Sequence, residues 1–349
     1  MRKRSLLSAL ALGCTFVATP ALADLPQLRL QAGGVDISLT AGASVQGAAI
    51  DDNDRARSKT DGQYDLFARI NAEWVSPSGI VIGANLEANN RDRETESLET
   101  GEIYGFAASD YGRLEVGLQD GAADMLGMAA PVIALGQIRG DFSRYAGSIA
   151  LLRTLDTQDS FKVLYLSPPV KGFRAGASWS PKFTQNADAV NPRSRVIVYD
   201  AVELGLQFQQ PVGEWVLGAS GGYAFGNADP ITQRADLSSW SVGAQARRGQ
   251  LRIGGAYVRR GESNRLERDF NQWEVNGGVA WVEDRWGVSA SSSLTKSSER
   301  RNRLFAIGGF YSLTRNIQIR SDVVQFREQR TGRIAENGLV GILELQIMI

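Results

Sequence analysis

From Val35 to Gln46 apolar and polar side chains alternate without a break. Val35, Ile37, Leu39, Ala41, Ala43 and Val45 share one parity, and Asp36, Ser38, Thr40, Gly42, Ser44 and Gln46 share the other. Successive side chains of an extended chain point to opposite faces, so this segment is a strand with one oily and one wet face. The next segment repeats the pattern: Tyr64, Leu66, Ala68, Ile70, Ala72 and Trp74 alternate with Gln63, Asp65, Arg69, Asn71 and Glu73, with Phe67 the single misfit. Ser76-Pro77-Ser78-Gly79 is a turn sequence, after which Ile80, Ile82, Ala84, Leu86 and Ala88 resume against Asn85, Glu87 and Asn89. Late in the chain Trp273, Val275, Val279 and Trp281 oppose Gln272, Glu274 and Asn276, and Trp286, Val288, Ala290 and Leu294 oppose Ser289, Ser291, Ser293 and Thr295.

About sixteen such segments follow one another, each near the length a tilted membrane strand requires. Short turns are expected at 76–79, 109–112, 168–172, 211–214, 247–250, 283–286 and 314–316. Longer polar loops alternate with them at 51–62, 91–99, 182–195, 227–236, 262–270, 298–302 and 328–336. Short turns on one rim and long loops on the other predict an all-β fold, a transmembrane antiparallel up-and-down barrel. A soluble β-sandwich also alternates, because one face packs on a core. Against it stand the continuous Gly, Ser, Asn, Glu and Arg of the wet faces, and Trp74, Trp179, Trp215, Trp273, Trp281 and Trp286 near strand ends, where an interfacial girdle places them. Lipid offers the backbone no hydrogen-bond partner, so a sheet that crosses it must close on itself.

The N-terminus fits this picture. Arg2, Lys3 and Arg4 precede an apolar run from Leu6 to Val17 and the small-x-small site Ala21-Leu22-Ala23, so residues 1–23 read as a signal peptide and 24–349 as the barrel. An anchor helix, or lipoprotein processing at Cys14, are the rival readings. That cysteine is the only one in the chain, which leaves the mature part without disulfides. Removing three basic residues from 38 basic against 38 acidic leaves 35 against 38, a net of −3. This balance argues against a nucleic-acid partner. Histidine is absent, which removes the Ser-His-Asp and Cys-His nucleophile systems and imidazole metal sites. No catalytic role and no cofactor are expected. The acidic stretch Asp51-Asp52-Asn53-Asp54 reads as a solvated loop before it reads as a hard-cation site.

One connection is too long for a plain loop. Residues 120–159 carry Met125, Leu126, Met128, Val132, Ile133, Leu135, Ile138 and Phe142, side chains that are unfavourable in water. The expectation is a constriction loop folded into the lumen; an external cap or a subunit contact is the alternative.

The segments flanking it carry a resemblance. The run from Glu102 through Tyr104-Gly105-Phe106, Asp110-Tyr111-Gly112-Arg113 and Glu115 to Asp120 is similar to a strand-turn-strand signature of Gram-negative general porins. Ser160 to Phe173, with Tyr165-Leu166-Ser167-Pro168 and Gly172-Phe173, resembles the hairpin that follows it in the same family. With the strand count, the resemblance covers the whole mature chain and is nearest to porins of α-proteobacteria. Two departures stand out: the chain ends in Ile349 where the family usually has Phe, and the long loop lacks a Pro-Glu-Phe-Gly-type sequence. The resemblance implies a homotrimer of sixteen-stranded barrels in the outer membrane, in contact with its lipid and lipopolysaccharide, with acidic loop residues facing basic residues on the wall.

For the constriction, the alternation puts Arg69, Arg113 and Arg174 on the wet face, expected opposite Asp124 and Asp141, with Asp120 and Glu115 also lining the opening. Opposed charges across a narrow pore bias its ion selectivity. Some of these residues can equally form rim ion pairs of little consequence. Arg91, Arg93, Glu94 and Glu96 read as a solvated outer loop or a latch to a neighbouring subunit. The expected activity is passive diffusion of ions and small hydrophilic solutes. Alternatives are a channel selective for sugars or anions, for which Tyr104 and Phe106 would supply guiding aromatics, and a structural barrel with a plugged lumen.

Overall fold

The computed structural model describes residues 28–53, 58–90, 99–135, 157–185, 196–232, 234–263 and 270–349. The expected signal peptide, the charged residues Arg91 to Glu96, and Ile138, Asp141 and Phe142 lie outside them.

A short strand β1 (Leu28–Ala32) precedes β2 (Val35–Asp52), β3 (Thr60–Val75), β4 (Val81–Asn89), β5 (Glu99–Ser109) and β6 (Gly112–Leu118). A one-turn helix, α1 (Ala122–Met125), sits within the long connection. Strands β7 (Phe161–Leu166), β8 (Phe173–Gln185), β9 (Val196–Val212), β10 (Trp215–Ala228) and β11 (Leu237–Arg248) follow. The chain finishes with β12 (Leu251–Gly261), β13 (Gln272–Val282), β14 (Trp286–Lys296), β15 (Arg300–Ser312), β16 (Ile317–Arg330) and β17 (Glu336–Met348). Each strand from β2 to β17 pairs antiparallel with the next in sequence, and β17 returns to β2 from Gly338↔Asp52 to Met348↔Gly42. Sixteen strands therefore form a closed ring with no free edge, which satisfies the backbone in lipid. The extra strand β1 takes over the edge of β2 where β17 stops: Leu28 pairs with Leu39 and Ala32 with Val35, just past the mutual bonds of Ile349 and Ala41.

The expected alternation is present, but turned inside out relative to a soluble protein. Val45, Leu343 and Ile307 are 64 %, 59 % and 53 % exposed on the outside. Glu203, Glu274 and Lys162 are fully buried on the inside. Trp74, Trp281 and Trp286 face outward at the short-turn end, and Trp179, Trp240 and Trp273 at the other, as two aromatic girdles would. Phe67, the misfit of the pattern, is explained by its partner. It points inward over Gly42, directly opposite it in β2, where a Cβ would come within 2.4 Å of the ring.

The long-loop rim departs from expectation most at one place. Residues 298–302 are not a long loop: β14 and β15 are joined by the three residues 297–299, with Ser297 N–H bonded to Arg300 O at 2.7 Å. Strand pairing also reaches further into other expected loops, through Asp52 in β2 and Gln185 in β8. The cause is the same in each case, since polar residues on a strand end at the long-loop rim are fully compatible with the ladder.

Candidate functional site: a belt on the inner wall

The described start of the long connection, through Leu135, folds inward. After Leu118 the chain crosses to α1, which packs on β7 to β10, and then runs along the inner wall to Leu135. Inward-facing polar side chains of successive strands hold its backbone. Ser178 of β8 accepts from Ala122 N–H at 3.1 Å, and Ser220 of β10 accepts from Met128 N–H at 2.8 Å. Asn276 of β13 and Ser289 of β14 accept from the N–H groups of Ala130 and Ile133 at 3.0 and 3.1 Å. Gln207 of β9 and Gln245 of β11 donate to the carbonyls of Leu126 and Ala129 at 3.3 and 2.7 Å. Each such bond contributes about 0.5–1.5 kcal/mol.

The wall is also shaped to receive this belt. A Cβ on Gly243 would fall 1.9 Å from Met128 O, and one on Gly205 would fall 2.3 Å from Ala122 O, so no larger residue fits while the belt lies flush. Gly176, Gly218 and Gly254 line the same track. The oily residues of the belt then find apolar ground. Leu126 packs with Leu164 and Leu166, and Ile133 with Ala280 and Phe310. Val132 and Leu135 join an inward-facing cluster that includes Ile50, Leu304, Val324, Phe326, Val340 and Ile342. Burial of each large side chain stabilises by about 1.5–3 kcal/mol. The belt through Leu135 is therefore packed on the inner wall, on the lumen side of the sheet.

Glu203 ties the two ends of the connection together. Its Oε1 accepts from both N–H and Oγ1 of Thr157, at 3.0 and 2.5 Å. Its carboxylate also lies so close to Gly121 that a Cβ there would meet Oε2 at 1.9 Å. This carboxylate is wholly buried.

The expected site residues fall into separate groups. Arg69 bonds Glu87 of β4 and lies 3.5 Å from Glu102 of β5. Glu102 is within electrostatic reach of Asp120 and Asp159, and Asp159 of Lys162. Partial desolvation, and secondarily Asp120, hold the Asp159 carboxyl above its ordinary range. Arg113 pairs with Glu115 and sits 3.6 Å over the Phe106 ring. Arg174 donates through Nε to Ser167 O at 3.3 Å. Asp124 is 6 % exposed, buried in α1. Tyr104 and Phe106 both face the lumen with ring centroids 6.5 Å apart, one pair and no extended ladder among the described residues. Asp52 of the acidic loop is engaged by Lys59 Nζ at 2.8 Å.

Sequence reasoning did not single out Glu87, Glu102 and Asp159 as a group around Arg69, nor Glu203, nor the glycine track. Glu87 opposite Arg69 in the β3–β4 register was the one available signal.

A closed sheet with an oily outside, a polar inside and a segment lining its interior is a transmembrane channel of the outer-membrane kind. A model of the Gram-negative porin family matches residues 7–331. No curated protein matches the chain. Among solved structures, a refined porin is similar at 14 % identity and a TM-score of 0.62, covering 90 % of this chain and all of that one. A substituted Rh. blastica porin (14 % identity, TM-score 0.61) and a loop-deletion variant of OmpT, an outer membrane protein of Vibrio cholerae (12 %, 0.61), match over the same shares. The chain belongs to the Gram-negative porins and forms an outer-membrane channel.

Proposed function

We propose that this channel passes ions and small hydrophilic solutes by passive diffusion with a preference for cations. The observation that carries the preference is the group at the start and end of the belt. Glu87, Glu102, Asp120 and Asp159 lie within electrostatic reach of one another, against Arg69 and Lys162. Four carboxyl groups against two cations leave this corner of the wall acidic, and negative charge lining a pore favours cations. The test is the reversal potential across a potassium chloride gradient in planar bilayers. A potential of cation-selective sign is expected, larger in Arg69→Gln because that variant leaves Glu87 and Glu102 uncompensated. An anion-selective sign, or no change in the variant, would sink this reading.

A homotrimer delivered by a cleaved signal peptide and seated among outer-membrane lipid and lipopolysaccharide completes the proposal. Its support is the outward face of β2 to β5, where Ala43, Gly47, Ala68, Ala72, Ala84 and Gly105 sit among the larger apolar residues. Small side chains let backbones of neighbouring subunits approach closely in lipid. Cross-linking in detergent should give a trimer band, and N-terminal sequencing of the exported protein should begin at Asp24.

A further inference from the structure

We infer that Arg247 and Arg252, on the lumen wall between the belt and the short-turn rim, form a binding site for the phosphate group of a small passing solute. This goes beyond the cation preference proposed above, which belongs to another arc of the wall. Arg247 of β11 and Arg252 of β12 stand directly opposite each other in the ladder. They share the inward parity of Gln245 and Gly254, which meet the carbonyl of Ala129 in the belt. Each lies two residues nearer the short-turn rim than that contact, about 7 Å along the strand. The turn between the strands is only Gly249 and Gln250, so the pair is held at a fixed separation. Arg247 is exposed, which leaves it open to a solute in the mouth.

This pair differs from the rest of the inner wall. Arg69, Arg113, Arg300, Arg320 and Arg330 each meet a carboxylate. Arg252 meets none among the described residues. Its Nε is enclosed without a hydrogen-bond partner, and the charge that acts on it is the like charge of Arg247. The next inward positions across the ladder are Val216 beside Arg247 and Ala280 beside Arg252, and neither side chain offers an acceptor. The inward acids Asp36 and Glu73 lie at the same rim but on β2 and β3, halfway round the ring. Across a water-filled mouth, charges that far apart are screened.

The geometry selects the kind of anion. Side chains directly opposite each other place their Cβ atoms about 4.5–5.5 Å apart, and like charges in that register repel. An anion between them removes the repulsion and reaches both guanidinium groups at once. Two planar forks match the oxygens of a tetrahedral phosphate dianion, whereas a single carboxylate fills one fork. The pair faces the aqueous side of the sheet, which excludes a lipid headgroup. Arg248, the next residue, faces outward and pairs with Glu214.

The experiment follows the phosphorus NMR lines of inorganic phosphate and of glycerol phosphate as protein purified in a sugar-based detergent is added. The pH is mildly alkaline, so that both probes are dianions. Wild type should broaden both lines, and acetate at equal concentration should not reverse the broadening. Arg247→Gln/Arg252→Gln should weaken binding by roughly tenfold or more. Arg252→Glu, whose new carboxylate would engage Arg247, should do the same and serves if the double variant does not fold. Arg248→Gln is the control and should bind as wild type does. Lines that stay sharp with wild type, undiminished binding in both charge variants, or an equal loss in Arg248→Gln overturns the inference.

Discussion

Two arcs of the inner wall face the same lumen with the same alternation and yet carry different residues. Along β8 to β14 the inward positions are dominated by glycine, serine and amide side chains, and the belt lies on them. Along β3 to β6 they carry Arg69, Glu87, Glu102, Arg113 and Glu115, and no described part of the belt covers them. The alternation only decides which side chains turn inward. What they meet there decides their chemistry: backbone at close range selects small residues and hydroxyls, whereas water selects charge. The result is an asymmetric inner wall, covered by packed backbone on one side and carrying charged side chains on the other.

The largest expected effect breaks the first arc. Gly243→Val places methyl groups where Met128 O now lies. The belt must lift off the wall, with an overpacking cost of about 1–3 kcal/mol. The barrel itself should persist, because its ladder is untouched. Single-channel recordings should then show reduced, flickering current, and the heat needed to unfold the barrel in detergent should fall. A conductance identical to wild type would mean that the belt does not line the pore. Glu203→Ala is the next largest. It strands both donors of Thr157 at a buried site, costing about 1–3 kcal/mol of attachment at the end of the loop. Open-channel noise should rise while mean conductance changes less than in the glycine variant.

The smallest effect sharpens the second arc. Since the Asp159 carboxyl is held above its ordinary range, its charged form is disfavoured in the folded channel. Lowering the pH neutralises it before ordinary carboxylates and removes its repulsion with Asp120, so acidification first stabilises this corner and weakens cation preference. Raising the pH through the shifted value restores both the charge and the strain. Selectivity against pH should therefore begin to fall above the usual carboxylate range in wild type. In Asp159→Asn that early fall should be shallower than in wild type; an unchanged profile would remove Asp159 from the selective group.

The comparison also explains which parts of the molecule could be read from its sequence. Alternation is a local property, so the strands, their faces and the closed sheet were legible from Val35 onward. The inward course of the long connection was legible from the cost of exposing Leu126, Val132 and Ile133. Its path was not, because Gly205 and Gly243 on a wet face look like any other small polar-side residues until a backbone is laid against them. Likewise Leu304, Val324, Phe326 and Ile342 make both faces of their strands apolar, and only the belt residues packed on them explain it. The charge cluster was half legible: Arg69 was named, but Glu102 and Asp159 reach it through the fold, and the burial of Asp124 in α1 has no signature in the alternation.

All of this depends on one set of alternate side chains meeting lipid while the other meets water. With the one native cysteine at position 14, single cysteines can be placed at Thr40→Cys and Asn71→Cys, which face inward, and at Leu39→Cys and Ile70→Cys, which face outward. Channels in planar bilayers are then exposed to a charged, membrane-impermeant thiol reagent. The first two should react and lose current and the last two should stay silent. Reaction at Leu39→Cys and Ile70→Cys with protection at Thr40→Cys and Asn71→Cys would contradict the account.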